Sequence, residues 1–427
     1  MLLKLSNQAL KALDILQQNG YEAYFVGGVV RDYFLGIEST DIDIATNASI
    51  ENIVKVFDKY KIIRYKKGKT VGVIIEHKYF EISTYDGNDI ITDLSNRDFK
   101  VNAMAYHPLK GLLDPFGGIE EIKNKMLSTI KKSDEVINKD AIRILRAIRF
   151  ECCLGFTIEA DFLIAMRKNK ELLSLLNKER LVKEINYILL SSHPGTYIQK
   201  YADIFFQIWP RLSLTYGFDQ HTKWHHLDVF NHIMSVVDNV KPNLVLRLAA
   251  LFHDIEKPMT FSLDSLGNGH FYEHYIYSAK TAKNILTDFK YHKKIIDRVY
   301  NLILYHDRPL EANKKCILRF LHDFKANDLD LYFDLKRADI KSQNPNLIGR
   351  LEQIDKIESY TYELLASDAV YSLKQLKISG DDLKKLGIEK ENIAKLLDEL
   401  LNLVIEEKLE NNYQELLKFC EQKLIKN

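Results

Sequence analysis

The sequence predicts an α+β fold class: a mixed sheet with helices in an N-terminal head, followed by an all-α remainder. Two observations support this division. Up to about residue 135, short β-branched and aromatic runs alternate with helical patterns, whereas beyond it apolar residues recur at the i, i+3, i+4 spacing of helices. With 8 prolines and no low-complexity tract, the chain has no obvious flexible linker.

The composition indicates a multi-domain enzyme. Its 427 residues are enough for roughly three domains. Because the net charge is only +1, a nucleic-acid partner would have to be bound by local basic patches. The four cysteines lack metal or disulfide spacing, residues 1–8 lack an apolar signal region, and no apolar run reaches the ~18 residues of a membrane span. We therefore expect a cytoplasmic protein without a membrane partner.

The first candidate site follows the first predicted strand, residues 24–26. Gly27 and Gly28 come directly after it, where glycines let backbone N–H groups approach an anion. Asp41 and Asp43 lie on a second predicted strand and point to one side of it, because residues i and i+2 share a face. Two such carboxylates can hold hard divalent cations such as Mg²⁺. Each motif alone is more often a turn or a solvated strand, but together they predict nucleotidyl transfer.

The next predicted elements are two strands of a β-hairpin, residues 71–76 and 79–84. Glu81 lies between apolar neighbours on the second strand. It is a candidate third carboxylate, and a surface acid is an equally good interpretation. Residues 66–70 end in Gly-Lys-Thr, but Ile63 stands where a P-loop needs its other glycine, so we predict a basic loop there.

The order of these motifs resembles one enzyme family. The pattern G-G-x-V-R-D-x-x-L-G at residues 27–36, followed by Asp41 and Asp43, resembles the signature of class II CCA tRNA nucleotidyltransferases and bacterial poly(A) polymerases. The resemblance implies a polymerase-β-like nucleotidyltransferase head. In it, Asp41 and Asp43 would be the catalytic ligands of two Mg²⁺ ions, and the nucleotide would be bound by Gly27, Gly28, Arg31 and Asp32.

Two further motifs fit the same family. Arg97, Asp98 and Asn102 lie at a predicted helix start and resemble the R-R-D-F-x-x-N-A motif, with Asn96 in place of its first arginine. Such a trio could hold ribose hydroxyls and triphosphate oxygens, since an arginine fork suits phosphate. In isolation, a capped helix with a surface ion pair would be the better interpretation.

Asp140 and Arg143 are three residues apart, which predicts one helix face that offers an acceptor and a donor to a base edge. They resemble the E-D-x-x-R motif through which class II enzymes choose CTP and then ATP, although Lys139 replaces the glutamate. Arg146 and Arg149 follow on the same helix and complete the predicted nucleotide-binding set. In a helical stretch over residues 172–190, an R-x-x-x-E element is predicted to brace the preceding helix; it consists of Arg180 and Glu184.

The resemblance implies an enzyme that adds C, C and A from CTP and ATP to tRNA lacking a complete 3′ CCA end. Only twelve residues, 85–96, separate Thr84 from Arg97, where full CCA-adding relatives carry a longer flexible loop. The same relatives have an arginine at the position of Asp86. A missing loop is associated with enzymes that add only CC, so a CC-adding enzyme is one alternative, and poly(A) polymerase is another.

A second constellation consists of histidines and one aspartate on predicted helices: His232, His253, Asp254, His274 and His306. Imidazoles with a carboxylate can bind Mn, Co, Ni or Mg. The adjacent pair His253 and Asp254 resembles the HD domain of metal-dependent phosphohydrolases, which implies a second divalent metal. Glu256 stands where that family usually has glycine. A metal-dependent HD phosphohydrolase and a degenerate tRNA scaffold both remain open.

Residues 378–388 resemble the tRNA-anchoring tail of the same family. The resemblance therefore implies four domains: a nucleotidyltransferase head at 1–135, a helical nucleotide-selecting neck and RNA-binding region at 136–200, an HD-type helical domain at 201–345, and a helical tRNA-anchoring tail at 346–427. Either a monomer or a homodimer is compatible with the sequence.

Overall fold

The computed structural model describes residues 5–39, 42–64, 68–324 and 327–426. The chain divides into two compact units. The first contains residues 1–188 and 203–208, and the second contains residues 189–202 and 209–427. Each unit is considered by itself.

The first unit contains a seven-stranded mixed sheet. Its strands are β1 (Ala23–Val26), β2 (Ile42–Thr46), β3 (Lys61–Arg64), β4 (Thr70–Ile75), β5 (Lys78–Thr84), β6 (Ala105–His107) and β7 (Gly111–Leu113). The strand order is β3-β4-β5-β2-β1-β6-β7. The pair β2–β5 is parallel, and the other neighbouring pairs are antiparallel. Two short strands, β8 (Met126–Leu127) and β9 (Thr157–Ile158), form a separate parallel pair.

The helices up to residue 208 are α1 (Asn7–Gln18), α2 (Gly28–Leu35), α3 (Ile50–Val56), α4 (Ile90–Ser95), α5 (Gly118–Asn124), α6 (Ser133–Lys139), α7 (Ile142–Leu154), α8 (Ala160–Lys168), α9 (Lys178–Leu189), α10 (Pro194–Lys200) and α11 (Ala202–Ile208). Helix α7 shows why the sequence folds this way. Ile144, Leu145 and Ile148 are fully buried, while Arg143, Arg146 and Arg149 line a cavity on the opposite face.

The second unit is helical apart from a small hairpin of β10 (Phe261–Leu263) and β11 (Gly269–Phe271). Its remaining helices are α12 (Val229–Asn239), α13 (Leu244–Phe252), α14 (His274–Asp288), α15 (Lys293–Tyr305), α16 (Lys314–Phe324), α17 (Leu329–Lys341), α18 (Arg350–Ala366), α19 (Gly380–Lys385), α20 (Lys390–Ile405) and α21 (Tyr413–Lys426). Nearly all of α13 is buried, so the residues that follow it begin inside the core. The predicted fold class, a mixed-sheet head with a helical remainder, is confirmed.

Three local predictions need correction. Asp140 does not share a helix face with Arg143: its backbone is extended, with φ −161° and ψ 104°, and α7 begins at Ile142. Its carboxylate accepts the Ile142 N–H at 3.4 Å, a local bond that favours aspartate just before a helix.

The motif from Arg97 to Asn102 does not start an α-helix either. It follows the end of α4 and contains a short 3₁₀ turn, Lys100–Asn102. The predicted stretch at 172–190 is interrupted, because a 3₁₀ segment, Lys170–Leu175, precedes α9. Within the described ranges, every helix is too short or too polar to cross a bilayer.

Candidate active site

One cavity of about 760 Å³ in the first unit gathers the predicted head residues. Its lining includes twelve of them: Gly27, Gly28, Arg31, Asp32, Asp43, Arg97, Asp98, Asn102, Asp140, Arg143, Arg146 and Arg149. The predicted catalytic Asp41 lies outside the described residues. The volume is within the usual range for small-molecule sites. Motifs spread over more than 120 residues of sequence therefore converge in space.

Asp43 and Glu81 face this cavity from neighbouring strands. They are register partners in the parallel pair β2–β5, and both line the cavity. On its other side Asp43 pairs with Val26, which directly precedes Gly27. Glu81 accepts a hydrogen bond from the Tyr79 hydroxyl at 3.2 Å. The sheet thus sets two carboxylates beside the glycine turn, as an oxygen-liganded divalent cation would require.

The turn after β1 depends on glycine for two reasons. Gly27 has φ +70°, and a Cβ there would lie 2.9 Å from Nη1 of Arg97 and 3.6 Å from Oδ2 of Asp43. Arg97 is oriented by Asp93, whose Oδ2 lies 3.1 Å from Nη2 of Arg97. A guanidinium is therefore held directly over a side-chain-free turn. This arrangement suits a phosphate better than any neutral ligand.

A chain of polar contacts runs from α2 to α7. Nη1 of Arg31 donates to Oδ1 of Asn102 at 2.7 Å, and its Nη2 donates to Asp32 at 2.6 Å. Nδ2 of Asn102 donates to Oδ1 of Asp98 at 2.9 Å. The other oxygen of Asp98 lies 2.9 Å from Nη2 of Arg146. These bonds fix the orientation of the cationic groups that line the cavity before any ligand is bound.

The two predicted base-recognition residues also line the cavity, although Asp140 precedes the helix. Oδ2 of Asp140 lies 2.6 Å from Nη2 of Arg180. The guanidinium of Arg143 donates hydrogen bonds to the main-chain carbonyl oxygens of Val136 and Asn96. On helix α9, Glu184 pairs with Arg149 of α7 at 2.8 Å. Glu184 therefore contacts α7 through Arg149, whereas Arg180 contacts Asp140 in the segment just before α7.

The sequence analysis missed Tyr79, Lys183 and Tyr187 as cavity residues. Lys183 and Tyr187 are four apart on α9, so they share a helix face. That spacing was the available signal.

The second candidate site lies in the core of the second unit. Nε2 of His253 is 3.2 Å from Oδ2 of Asp254, and Nε2 of His232 is 3.4 Å from the same oxygen. The other oxygen, Oδ1, lies 3.2 Å from Nε2 of His274 and 3.5 Å from Nε2 of His306. The four predicted histidines therefore surround the buried carboxylate of the fifth predicted residue, Asp254.

The contacts of the four imidazoles are compatible with a metal site. Each Nδ1 faces a main-chain carbonyl oxygen: that of Ser342 for His232, Ala250 for His253, Phe271 for His274 and Ile303 for His306. A neutral imidazole that donates Nδ1–H carries its lone pair on Nε2. If all four imidazoles are neutral, their Nε2 lone pairs are directed at the carboxylate of Asp254, an arrangement that a cation bound between them would stabilise. Backbone carbonyls that fix the tautomer are typical of metal-binding histidines.

Asp339 belongs to this cluster and was missed. Its Oδ1 lies 3.0 Å from Nε2 of His232, and His232, His253 and Asp339 could share an ion. It lies on α17 with no neighbouring motif, so no sequence pattern indicated it. Lys257 also reaches Oδ2 of Asp254, at 2.7 Å. Burial alone would raise the pKa of Asp254, but His253 and Lys257 outweigh it and hold that pKa well below its usual range.

Glu256, the departure from the HD pattern, turns away from the cluster. Its carboxylate pairs with Arg211 at 2.5 Å and accepts a hydrogen bond from Thr281 at 2.7 Å. The carboxylate of Glu256 therefore has its polar partners outside the histidine cluster.

Three family models match the chain. The poly A polymerase head domain matches residues 23–128, the probable RNA and SrmB-binding site of polymerase A matches residues 155–203, and the HD domain matches residues 224–343. The candidate cavity is lined by residues of the first two regions and of the segment between them, and the histidine cluster lies within the third.

Relatives of known function match over different lengths. A CCA-adding enzyme of Staphylococcus aureus is 26% identical over 98% of both chains. A CCA-adding enzyme of Geobacillus kaustophilus is 36% identical over 198 residues, so that this chain spans about half (49%) of that relative's length. A CC-adding tRNA nucleotidyltransferase of Shouchella clausii is 36% identical over 182 residues, which are 43% of this chain and 48% of that relative.

Solved structures show the same fold. The Bacillus stearothermophilus CCA-adding enzyme in complex with CTP superposes with a TM-score of 0.69 at 22% identity, over 98% of this chain and 97% of that one. The Thermotoga maritima CCA-adding enzyme complexed with tRNA gives a TM-score of 0.61 at 20% identity, over 98% and 95% of the two chains.

Proposed function

Because the chain belongs to the class II CCA-adding and poly(A) polymerase family of nucleotidyltransferases, we propose that it adds C, C and A to the 3′ end of tRNA from CTP and ATP, releasing pyrophosphate. The observation that carries this proposal is the convergence of twelve motif residues on one cavity beside Asp43. The near-full-length relative from Staphylococcus aureus is a CCA-adding enzyme, which supports the same activity.

In this proposal the cavity's side chains have separate roles. Gly27 and Arg97 receive the triphosphate at the turn after β1, where a side chain at position 27 would collide with the guanidinium. Asp140 and Arg143 present an acceptor and a donor to the base edge. No nucleic-acid template is then needed, because protein groups supply the pairing pattern.

We propose that Asp41 and Asp43 hold Mg²⁺, with Glu81 as a further carboxylate beside them. The oxygen donors on β2 and β5 suit that ion. When bound, it supplies positive charge for the attacking 3′-hydroxyl and for the leaving pyrophosphate. The protein's own contribution is to hold the carboxylates in register and to orient the triphosphate through Arg97.

The test is single-nucleotide gel analysis of a tRNA transcript that ends at the discriminator base, with CTP alone, ATP alone or both. We expect two additions with CTP and a third only when ATP is present. Asp43→Ala should lower the rate at least ~10³-fold, which corresponds to about 4 kcal/mol of transition-state stabilisation. His253→Ala, in the other unit, is the matched control and should leave the additions unchanged.

Other outcomes identify the alternatives. Arrest after two cytidines with both nucleotides present would make it a CC-adding enzyme, the alternative raised by the short segment 85–96. Long tails with ATP alone would indicate a poly(A) polymerase. Absence of any extension by the wild type would overturn the proposal.

We also propose that the histidine cluster binds a second divalent metal, with Mn, Ni, Co and Mg as candidates. The four Nε2 atoms that lie within 3.5 Å of the Asp254 carboxylate carry this proposal. A metal so held would supply an activated water for phosphoester hydrolysis, and the HD family match is compatible with that activity. Hydrolysis of p-nitrophenyl phosphate or a cyclic nucleotide that survives Asp43→Ala but is lost in His253→Ala would support it.

A further inference from the structure

Asp86, at the end of strand β5, contacts three separate segments of the first unit. Its Oδ1 lies 2.7 Å from Nζ of Lys69, and its Oδ2 lies 3.1 Å from Nζ of Lys139. Its backbone N–H donates to Oδ1 of Asp93 at 2.8 Å, and its carbonyl oxygen accepts from Nδ2 of Asn96 at 2.6 Å. Asp86 thereby connects the segment 85–96 to Lys69, just before strand β4, and to Lys139, at the end of helix α6.

One series of contacts, which we call the first arm, runs from Asp86 through Asn96 to Arg143. Asn96 is held on two sides, by Asp86 and by Lys131, whose Nζ donates to Oδ1 of Asn96 at 2.7 Å. The main-chain oxygen of Asn96 then accepts from Nη2 of Arg143 at 3.2 Å. Nη1 of Arg143 donates to the carbonyl of Val136 at 3.2 Å. The guanidinium position therefore depends on where Asn96 is fixed.

The second arm runs from Asp86 through Lys139 to the neighbouring residue Asp140. Lys139 is the last residue of α6 and directly precedes Asp140, whose backbone is extended. A restraint on Lys139 is therefore a restraint on the start of the base-recognition segment. Asp86 is the residue shared by the two arms, one through Asn96 to Arg143 and the other through Lys139 to Asp140.

We propose that Asp86 is a positioning residue for nucleotide selection: its contacts with Asn96 and Lys139 fix the spacing between the carboxylate of Asp140 and the guanidinium of Arg143. This rests on the proposed nucleotidyltransferase function and adds a determinant of its specificity. The lysines also keep the Asp86 side chain charged, since their hydrogen bonds lower its pKa.

Spacing matters because the bases differ at the positions these groups would contact. Cytosine and adenine each present an exocyclic amine to a carboxylate acceptor, whereas uracil presents a carbonyl oxygen there. Discrimination against UTP requires that the carboxylate oxygen be near the base when the guanidinium is also engaged. Removing a contact of either arm should therefore reduce the discrimination between CTP and UTP more than it reduces the rate of nucleotidyl transfer.

The experiment measures kcat and KM for CTP and UTP on a tRNA transcript ending at the discriminator base. In Asp86→Asn we expect the ratio of kcat/KM for CTP over UTP to fall about tenfold, mostly through a higher KM for CTP. Lys139→Gln should act in the same direction, and Lys139→Arg, which keeps the cation, should restore most of the ratio. These are effects on selection that a purely structural role would not produce.

Glu76→Gln is the matched control. It removes an ion pair of similar length and exposure, Lys11–Glu76 at 2.7 Å, away from the cavity lining, and should leave the ratio unchanged. A ratio within twofold of the wild type in both Asp86→Asn and Lys139→Gln would overturn the inference while leaving the proposed function intact. Failure of the wild type to add any nucleotide would instead overturn the proposed function.

Discussion

Asp98 illustrates how a single buried acid can organise the cavity. Burial alone would raise its pKa, but the Arg146 guanidinium and hydrogen bonds from Asn102 and the Phe99 N–H more than compensate, so the pKa lies below its usual range. The folded protein therefore favours the charged form more strongly than the unfolded chain does. Charge on Asp98 in turn holds Arg146 and Asn102 in the orientations that the cavity needs.

Asp98→Asn should consequently destabilise the protein by about 2 kcal/mol near neutral pH, the scale of a lost hydrogen bond to a charged group. Because the folded pKa is depressed, the contribution of the carboxylate is fully present above the unfolded value of about 4 and is lost as the pH falls through the folded value. The difference in unfolding free energy between the wild type and Asp98→Asn should therefore become smaller below about pH 4. Urea unfolding at pH 3 to 7 measures it. A gap independent of pH would contradict this account.

Asp134→Asn serves as the control, because Asp134 forms an exposed pair with Lys168 at 2.9 Å and surface pairs contribute little. Its unfolding free energy should stay close to that of the wild type throughout.

Among the elements, those with a strong local signal were predictable and those defined by tertiary contacts were not. The hairpin β4–β5 was predicted from its β-branched and aromatic runs, and it is observed with Ile75 opposite Lys78. Asp140 was placed on a helix because the i, i+3 pattern continues through it. Its backbone is extended, and its carboxylate pairs with Arg180, a contact forty residues away that the sequence pattern cannot display.

The turn of this hairpin gives a test at the same scale. Glu76 and His77 form a two-residue turn with φ +47° and +67°, the left-handed conformations of a type I′ turn, for which glycine is preferred at the second position. A non-glycine residue in that region costs about 1–2 kcal/mol. His77→Gly should therefore stabilise the protein by about 1 kcal/mol, measured by thermal or urea unfolding.

The same substitution at His193, where φ is −133°, is the control. It should give no gain, because glycine there only adds freedom to the unfolded chain. Equal stabilisation by both substitutions would show that the φ of His77 is not the cause.

At the scale of the whole chain, two compact units carry two chemically different sites. The cavity in the first unit is lined by arginines and carboxylates suited to triphosphate, and the core of the second holds imidazoles around Asp254. Sequence motifs revealed both sites, because each has a compact signature. They did not reveal Asp339, which joins the second site only through the packing of α12 against α17, and the four predicted domain boundaries stay predictions.

If the two sites act independently, a substitution in one should leave the function of the other intact. Asp254→Asn removes the charge that four imidazoles face, so bound Mn or Ni per chain, measured by elemental analysis after dialysis against a weak chelator, should fall at least tenfold. CTP addition to tRNA should remain within about twofold of the wild type, because none of the residues proposed for that reaction lies in the second unit. Asp43→Ala should show the reverse: retained metal and lost addition. If Asp254→Asn abolished CTP addition while the protein stayed folded by circular dichroism, the two sites could not be independent, and the histidine cluster would have to take part in the nucleotidyl transfer itself.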